Sequence, residues 1–165
     1  MGEAEQIFSQ TYLYTYLLIL IASLFFFSFG VFFYPYTTPI STPEISIEDK
    51  TIFQVGIQIF ANNLLPFFVT IIPVLGAIYF FYQAYMVGAF LKVFALANNL
   101  SLQVAFQSSL TNPILYLEFS AFSLASASMI MIFLDRNWTV LSKRLAFSLA
   151  VLFISAFAEA FLIMM

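Results

Sequence analysis

The chain has 165 residues, of which 63% are hydrophobic and 8% are charged, and its formal net charge is −3. An ordinary soluble domain carries about 25% charged residues, and so few charges cannot cover a surface that faces water. The composition therefore excludes a soluble globular protein and a disordered one, and it indicates an integral membrane protein. The absence of histidine and cysteine excludes His-ligated metal sites, iron–sulfur clusters and thiol catalysis. The five scattered bases argue against a nucleic-acid partner, which requires a clustered basic face.

The first predicted span is residues 12–34, an uncharged segment with tyrosines at both ends. Its length suffices for one crossing, which takes about 20 apolar residues, and tyrosine rings favour the two membrane boundaries. The residues before it include Glu3 and Glu5 but no base, which favours a membrane span over a signal peptide. The following segment, 35–50, contains three prolines and four charged residues and is predicted to be a loop in water.

Residues 51–97 are predicted to form two spans. A single helix of this length would run about 70 Å, more than twice the thickness of the hydrocarbon layer. Pro73 and Gly76 lie near the midpoint, so we expect spans at 51–72 and 75–97 joined by a tight turn. The alternative is an interfacial helix at 51–63 followed by one long, kinked span.

Two further spans are predicted, at 110–134 and 144–165, separated by the sequence DRNWTVLSKR. The predicted fold is therefore an all-α, polytopic transmembrane helix bundle with five spans. It forms a single transmembrane domain over residues 1–165. The alternative for residues 51–97 would give four spans plus an interfacial helix.

Basic residues predict the orientation in the cell membrane. Short loops rich in lysine and arginine stay on the cytoplasmic side. The 135–144 loop contains Arg136, Lys143 and Arg144, so we expect it inside. Five spans then place the N-terminus inside and the C-terminus outside.

Polar residues form a row along the second predicted span. Thr51, Gln54, Gln58, Asn62 and Thr70 follow one another at spacings of three, four, four and eight, which is typical of one face of a helix. Such a face either lines a polar cavity or forms hydrogen bonds with neighbouring helices. We favour the second interpretation, because polar side chains commonly hold membrane helices together.

Charged residues within spans are costly and indicate a function or a partner. Lys92, Glu118 and Glu159 lie about 8, 12 and 9 Å from the outer ends of their predicted spans. We therefore predict a polar cluster in which Lys92 pairs with one or both glutamates, and the excess negative charge implies a proton or a cation on one of them. The alternatives are an ion pair that only fixes helix register, or side chains that extend to the interface. The predicted cluster consists of Lys92, Glu118, Glu159, Asn62, Asn63, Gln58 and Gln83.

Small residues predict where helices approach closely, because packing drives helix association in lipid. They are densest in the fourth predicted span, which we expect at the centre of the bundle. The predicted packing residues are Ala84, Gly88, Ser120, Ala121, Ala156 and Ala160.

Several short motifs between residues 59 and 159 follow one order. They are IFANN at 59–63, FYQAYMVGAF at 81–90, NPILYLEF at 112–119 and a late glutamate in AFAEAF. In this order and spacing the segment resembles the stage II sporulation protein M family of multi-span membrane proteins. Pro113 and Glu118 keep the offset of that family's Leu-Pro-His-Gly-x-x-Glu motif, whereas its His and Gly are Ile114 and Leu115 here. The Asn of the family's Asn-x-x-x-x-Gly run is Gln83.

The resemblance implies a non-catalytic membrane protein. Family members in spore-forming bacteria act as scaffolds for cell-wall hydrolases, and some other members are encoded near transporter components. We therefore expect a scaffold or a subunit of a membrane complex, and the alternative is a small permease or an accessory subunit of a transporter. The expected partners are the lipid bilayer and other membrane proteins or a second copy of the chain. Only Glu118, Glu159 and Asp135 could serve as acid–base groups, and no motif indicates a metal or cofactor, so we expect no enzyme.

Overall fold

The computed structural model describes residues 7–35 and 50–165, and these parts of the chain form α-helices without any strand. Five of the helices are long and apolar enough to cross a membrane, whereas the short helix Leu102–Thr111 is not. The predicted all-α architecture with five candidate spans is therefore confirmed. The helices are α1 (Gln10–Phe33), α2 (Ile52–Thr70), α3 (Leu75–Ala97), α4 (Leu102–Thr111), α5 (Pro113–Asp135) and α6 (Trp138–Met164).

The turn between α2 and α3 separates two spans, as predicted. Pro73 lies in this turn and Val74 adopts a positive φ of 64°, so the helix cannot continue. Gly76 packs so closely that a Cβ atom there would collide with the carbonyl oxygen of Thr70. The alternative with an interfacial helix at 51–63 and one long span is wrong, because α2 continues to Thr70 and ends there.

The last two spans begin at residues other than predicted. The expected span at 110–134 is divided at Asn112, whose side chain accepts a hydrogen bond from Ile114 N at 3.0 Å. Pro113 is the first residue of α5, a position where its missing N–H group costs nothing because the helix has no acceptor for it there. The expected span at 144–165 begins earlier, at Trp138. Asn137 caps that helix by accepting hydrogen bonds from the amides of Thr139 and Val140, both at 3.1 Å.

Helix α5 lies at the centre of the bundle, as its small residues predicted. Of the 18 most apolar consecutive residues of α5, 56% are buried, compared with 28% or less for the same stretch of the other four long helices. All residues from 121 to 128 are buried. The other long helices expose many large apolar side chains, such as Leu18, Phe25 and Leu65, which is the surface expected of helices in contact with lipid.

Successive long helices run in opposite directions. At one end of the bundle, Arg144 near the start of α6 contacts Asp135 at the end of α5 and Ile7 just before α1. At the opposite end, Lys92 near the end of α3 contacts Phe32 and Tyr34 at the end of α1. The start of α5 therefore lies at the same end as the end of α1.

Candidate functional site

Glu118 and Asn63 form a hydrogen bond between two membrane-spanning helices. Glu118 lies in the second turn of α5. Asn112 caps this helix and Pro113 is its first residue, and together they fix where the helix begins. Asn63 lies just beyond the midpoint of α2, and its Nδ2 atom donates to Glu118 Oε1 at 2.9 Å. A hydrogen bond to a carboxylate is stronger than one between neutral groups. The pair therefore holds α2 against α5 and fixes the carboxyl group inside the bundle.

This carboxyl group borders a cavity of about 90 Å³ at the meeting point of three helices. At about 30 Å³ for each molecule in liquid water, the cavity has room for about three waters. Both polar and aromatic residues line it. The lining residues are Asn63, Pro66 and Thr70 of α2; Phe80, Gln83, Ala84 and Val87 of α3; and Glu118, Phe119 and Phe122 of α5.

Several oxygen atoms at the cavity have no protein donor. Thr70 Oγ1 donates to Pro66 O at 2.9 Å, so its lone pairs can still accept. Within the described residues, neither Glu118 Oε2 nor the Gln83 amide makes a hydrogen bond. Because Pro66 has no N–H group, the carbonyl of Asn62 loses the donor that the helix would otherwise supply, but Asn62 does not line the cavity. The cavity thus contains more acceptors than the protein satisfies.

Glu159 is the second glutamate of the predicted cluster. It lies half-buried in α6, and it is close enough to Glu118 for the two carboxyl groups to interact electrostatically. It does not line the cavity. The structure therefore brings the two glutamates into one region of the bundle, with Glu118 at the cavity.

The predicted ion pair of Lys92 with Glu118 or Glu159 is wrong. Lys92 Nζ instead donates to Tyr34 O at 2.8 Å and to Phe32 O at 3.2 Å, and among the described residues it reaches neither glutamate. The last carbonyls of α1 lack donors within the helix and carry the negative end of its dipole. Lys92 on the adjacent helix α3 supplies both a hydrogen-bond donor for these carbonyls and a positive charge near the negative end of the dipole.

The predicted polar row of α2 does not face in one direction. Thr51, Gln54 and Asn62 are exposed, whereas Thr70 is buried at the cavity. Gln58 is half-buried and accepts a hydrogen bond from Lys50 Nζ at 2.8 Å. Gln54 and Thr70 are sixteen residues apart, which advances a helix by about 160° beyond four full turns, so they lie on nearly opposite sides. Asn63, rather than Asn62, faces the cavity.

The predicted packing residues lie at several helix contacts. Gly88 of α3 packs against Gly30 of α1, which the sequence analysis did not select, and a Cβ atom at either glycine would collide with the backbone of the other helix. Ala84 is buried close to this contact, and Ala121 is fully buried in α5.

The remaining packing residues contact α1 or α2. The hydroxyl group of Ser120 lies 3.1 Å from that of Tyr16 in α1. Ala156 and Ala160 of α6 pack in a separate apolar cluster with Val55 and Ile59 of α2.

Arg144, which the sequence places in a loop, forms a buried site between helices. Its side chain is 2% exposed and lies 3.1 Å from Asp135 Oδ2, and its Nε donates to Ile7 O at 2.8 Å. Its guanidinium carbon lies 4.2 Å from the centre of the Tyr12 ring. The Tyr12 hydroxyl in turn lies 3.3 Å from Leu124 O and from Ser128 Oγ. These contacts join α1, α5 and α6 at one end of the bundle.

The fold is that of an integral, multi-pass membrane protein. It has five long apolar helices with exposed apolar side chains, and polar groups lie between the helices. Within the described residues, no three acidic side chains lie close enough together to hold a metal ion. No protein-family model, curated protein or solved structure matches this chain.

Proposed function

We propose that the protein is a non-catalytic subunit or scaffold of a membrane complex, in keeping with its resemblance to the stage II sporulation protein M family. The observation that carries the proposal is the exposed side chain of Asn62, near the midpoint of α2. It points away from the bundle at a depth where a monomer would present it to hydrocarbon. Among the described residues it has no hydrogen-bond partner.

An amide that faces lipid alone is unfavourable. Transfer of an amide from water to a medium without hydrogen bonds costs about 4–8 kcal/mol, whereas a hydrogen bond between membrane helices recovers on the order of 1–2 kcal/mol in model peptides. Gln54 is exposed on the same side of α2, and the small Ala61 and the exposed Leu65 lie beside it. This outer face of α2, defined by Gln54, Ala61, Asn62 and Leu65, fits a polar span of a partner in the membrane.

The test removes the Asn62 amide and leaves the apolar surface in place, and it keeps Gln54, which caps the start of α2 by accepting a hydrogen bond from Thr51 N at 2.9 Å. In the Asn62→Leu variant, we expect recovery of a partner in gentle purification to fall on the order of tenfold or more. The partner is either a differently tagged second copy or another membrane protein, quantified by mass spectrometry. Gln107→Leu is the matched control, because it also replaces an exposed amide by leucine, in the short α4. Recovery that is equal in all three proteins would contradict the proposal.

The alternative function is a small permease or an accessory subunit of a transporter. The cavity beside Glu118 favours this alternative, because ionisable groups between membrane helices commonly mark ion or solute pathways. Flux of an ion or solute into liposomes that contain only the purified protein would support it. A stable heteromeric partner without such flux would support the scaffold.

A further inference from the structure

We propose that the cavity between α2, α3 and α5 binds one monovalent metal cation of the size of sodium, held by Glu118 and by neutral oxygen atoms around it. The inference concerns binding at equilibrium. It therefore holds for a scaffold and for a transport subunit alike, and it does not depend on a partner at the outer face of α2.

The donor atoms at the cavity are those of a hard-cation site. Glu118 provides a carboxylate, Asn63 and Gln83 provide amide oxygens, and Thr70 provides a hydroxyl. Oxygen ligands of these types favour hard cations over transition metals, which prefer nitrogen and sulfur.

The charge at the cavity favours a monovalent ion. Glu118 is the one carboxyl group that lines it, and the half-buried Glu159 lies outside the lining, so a single positive charge neutralises the lining itself. Neutrality matters because Phe80, Phe119 and Phe122 form an apolar wall, and charges interact more strongly in a low dielectric. A divalent ion would also need the carboxylate of Glu159, which does not line the cavity, because uncompensated charge inside the membrane is costly.

No base of the described bundle supplies that charge. Lys92, which the sequence pairs with Glu118, donates instead to carbonyls at the end of α1. Arg144 contacts Asp135 and Tyr12 at the opposite end of the bundle. Glu118 is therefore left with the neutral amide of Asn63 as its hydrogen-bond donor.

The competing state is a protonated Glu118 beside a cavity that holds only water. A proton would neutralise the carboxyl group, but it would leave the other oxygens at the cavity to water alone. A cation engages several of these oxygens at once, and a volume of about 90 Å³ leaves room beside the ion for one or two waters at about 30 Å³ each. The two states differ in whether sodium binds, which can be measured directly.

The experiment is equilibrium binding of ²²Na⁺ to the full-length protein in lipid nanodiscs, with choline chloride holding the ionic strength constant. We expect saturable binding of one ion per chain, displaced by unlabelled sodium and not by choline. Glu118→Gln should abolish the binding. Gln83→Leu, which removes a neutral ligand and leaves the charge, should weaken it about 10- to 100-fold, the range found when supporting groups of a metal site are removed. Gln107→Leu should bind as the unaltered protein does.

Thermal unfolding of the same samples shows whether each variant is folded. A ligand that binds the native state raises its unfolding temperature, so the unaltered protein should be stabilised by sodium chloride and not by choline chloride. Absence of saturable ²²Na⁺ binding to the folded, unaltered protein would overturn the inference, as would equal binding by folded Gln83→Leu protein. Partner recovery is measured separately, so neither result would decide the proposed function, which has its own test.

Discussion

Replacing Arg144 by methionine is expected to destabilise the protein by about 3 kcal/mol, the lower part of the range for breaking a buried charge pair. Arg144 is nearly fully buried, whereas the Asp135 side chain is 35% exposed, and we therefore take the lower part of that range. The change also removes the contact of the guanidinium with the Tyr12 ring and the hydrogen bond to Ile7 O. The measurement is the free energy of unfolding in mixed micelles with increasing sodium dodecyl sulfate.

Arg136→Met is the matched control for this prediction. It removes a base from the same end of the bundle, so any effect on membrane orientation through basic residues is shared. Arg136 is exposed at the end of α5, and we expect a change within about 0.5 kcal/mol, as for most surface substitutions. Equal unfolding free energies for the two variants would show that the buried contacts of Arg144 do not stabilise the bundle.

The Gly88→Ala substitution is expected to destabilise the contact between α1 and α3 by about 3 kcal/mol, at the upper end of the usual cost of overpacking. A Cβ atom at Gly88 would collide with Phe27 O and lie 2.9 Å from Val31 N. These are backbone atoms, which cannot move aside as a side chain does, so the two helices must separate. Unfolding in mixed micelles measures the loss.

Two further variants test the cause of that loss. Gly30→Ala should be similarly harmful, because its Cβ atom would meet the backbone of Tyr85 and Ala89. The double variant should cost less than the sum of the two, since both changes disrupt one contact. Gly56→Ala is the control, because its Cβ atom would meet the Phe157 ring at 3.0 Å, and a side chain can shift. A loss as large for Gly56 as for Gly88 would contradict the explanation.

The sequence predicts the spans well because hydrophobicity and helix-breaking residues act locally. Pro73 and Gly76 predict the turn between α2 and α3, and the small residues of α5 predict its central position. The missed start of α6 also had a local signal, since asparagine is a preferred N-cap residue and Asn137 precedes the helix. Its role was hidden by the assignment of the surrounding charges to a loop.

The site was less predictable because it depends on how each helix is rotated. Neighbouring residues on a helix point about 100° apart, and the sequence does not tell whether Asn62 or Asn63 faces the bundle. Depth alone placed Lys92 beside the glutamates, but the backbone carbonyls at the end of α1 are also acceptors and carry no sequence signature. Gly30 and Arg144 acquire their roles from contacts with distant segments, which span prediction does not consider.

The most direct test of the membrane architecture uses single cysteines, since the chain has none of its own. Cysteine replaces, one at a time, four exposed residues: Pro35, Val74 and Leu100 between the long helices, and Trp138 at the start of α6. A membrane-impermeant maleimide is then applied to intact cells and to permeabilised cells. Five crossings, with the basic 135–144 loop inside, predict that positions 35 and 100 are labelled from the outside, whereas positions 74 and 138 react only after permeabilisation. Labelling of positions 35 and 100 from opposite sides would contradict the bundle described here, because residues 51–97 would then cross the membrane once.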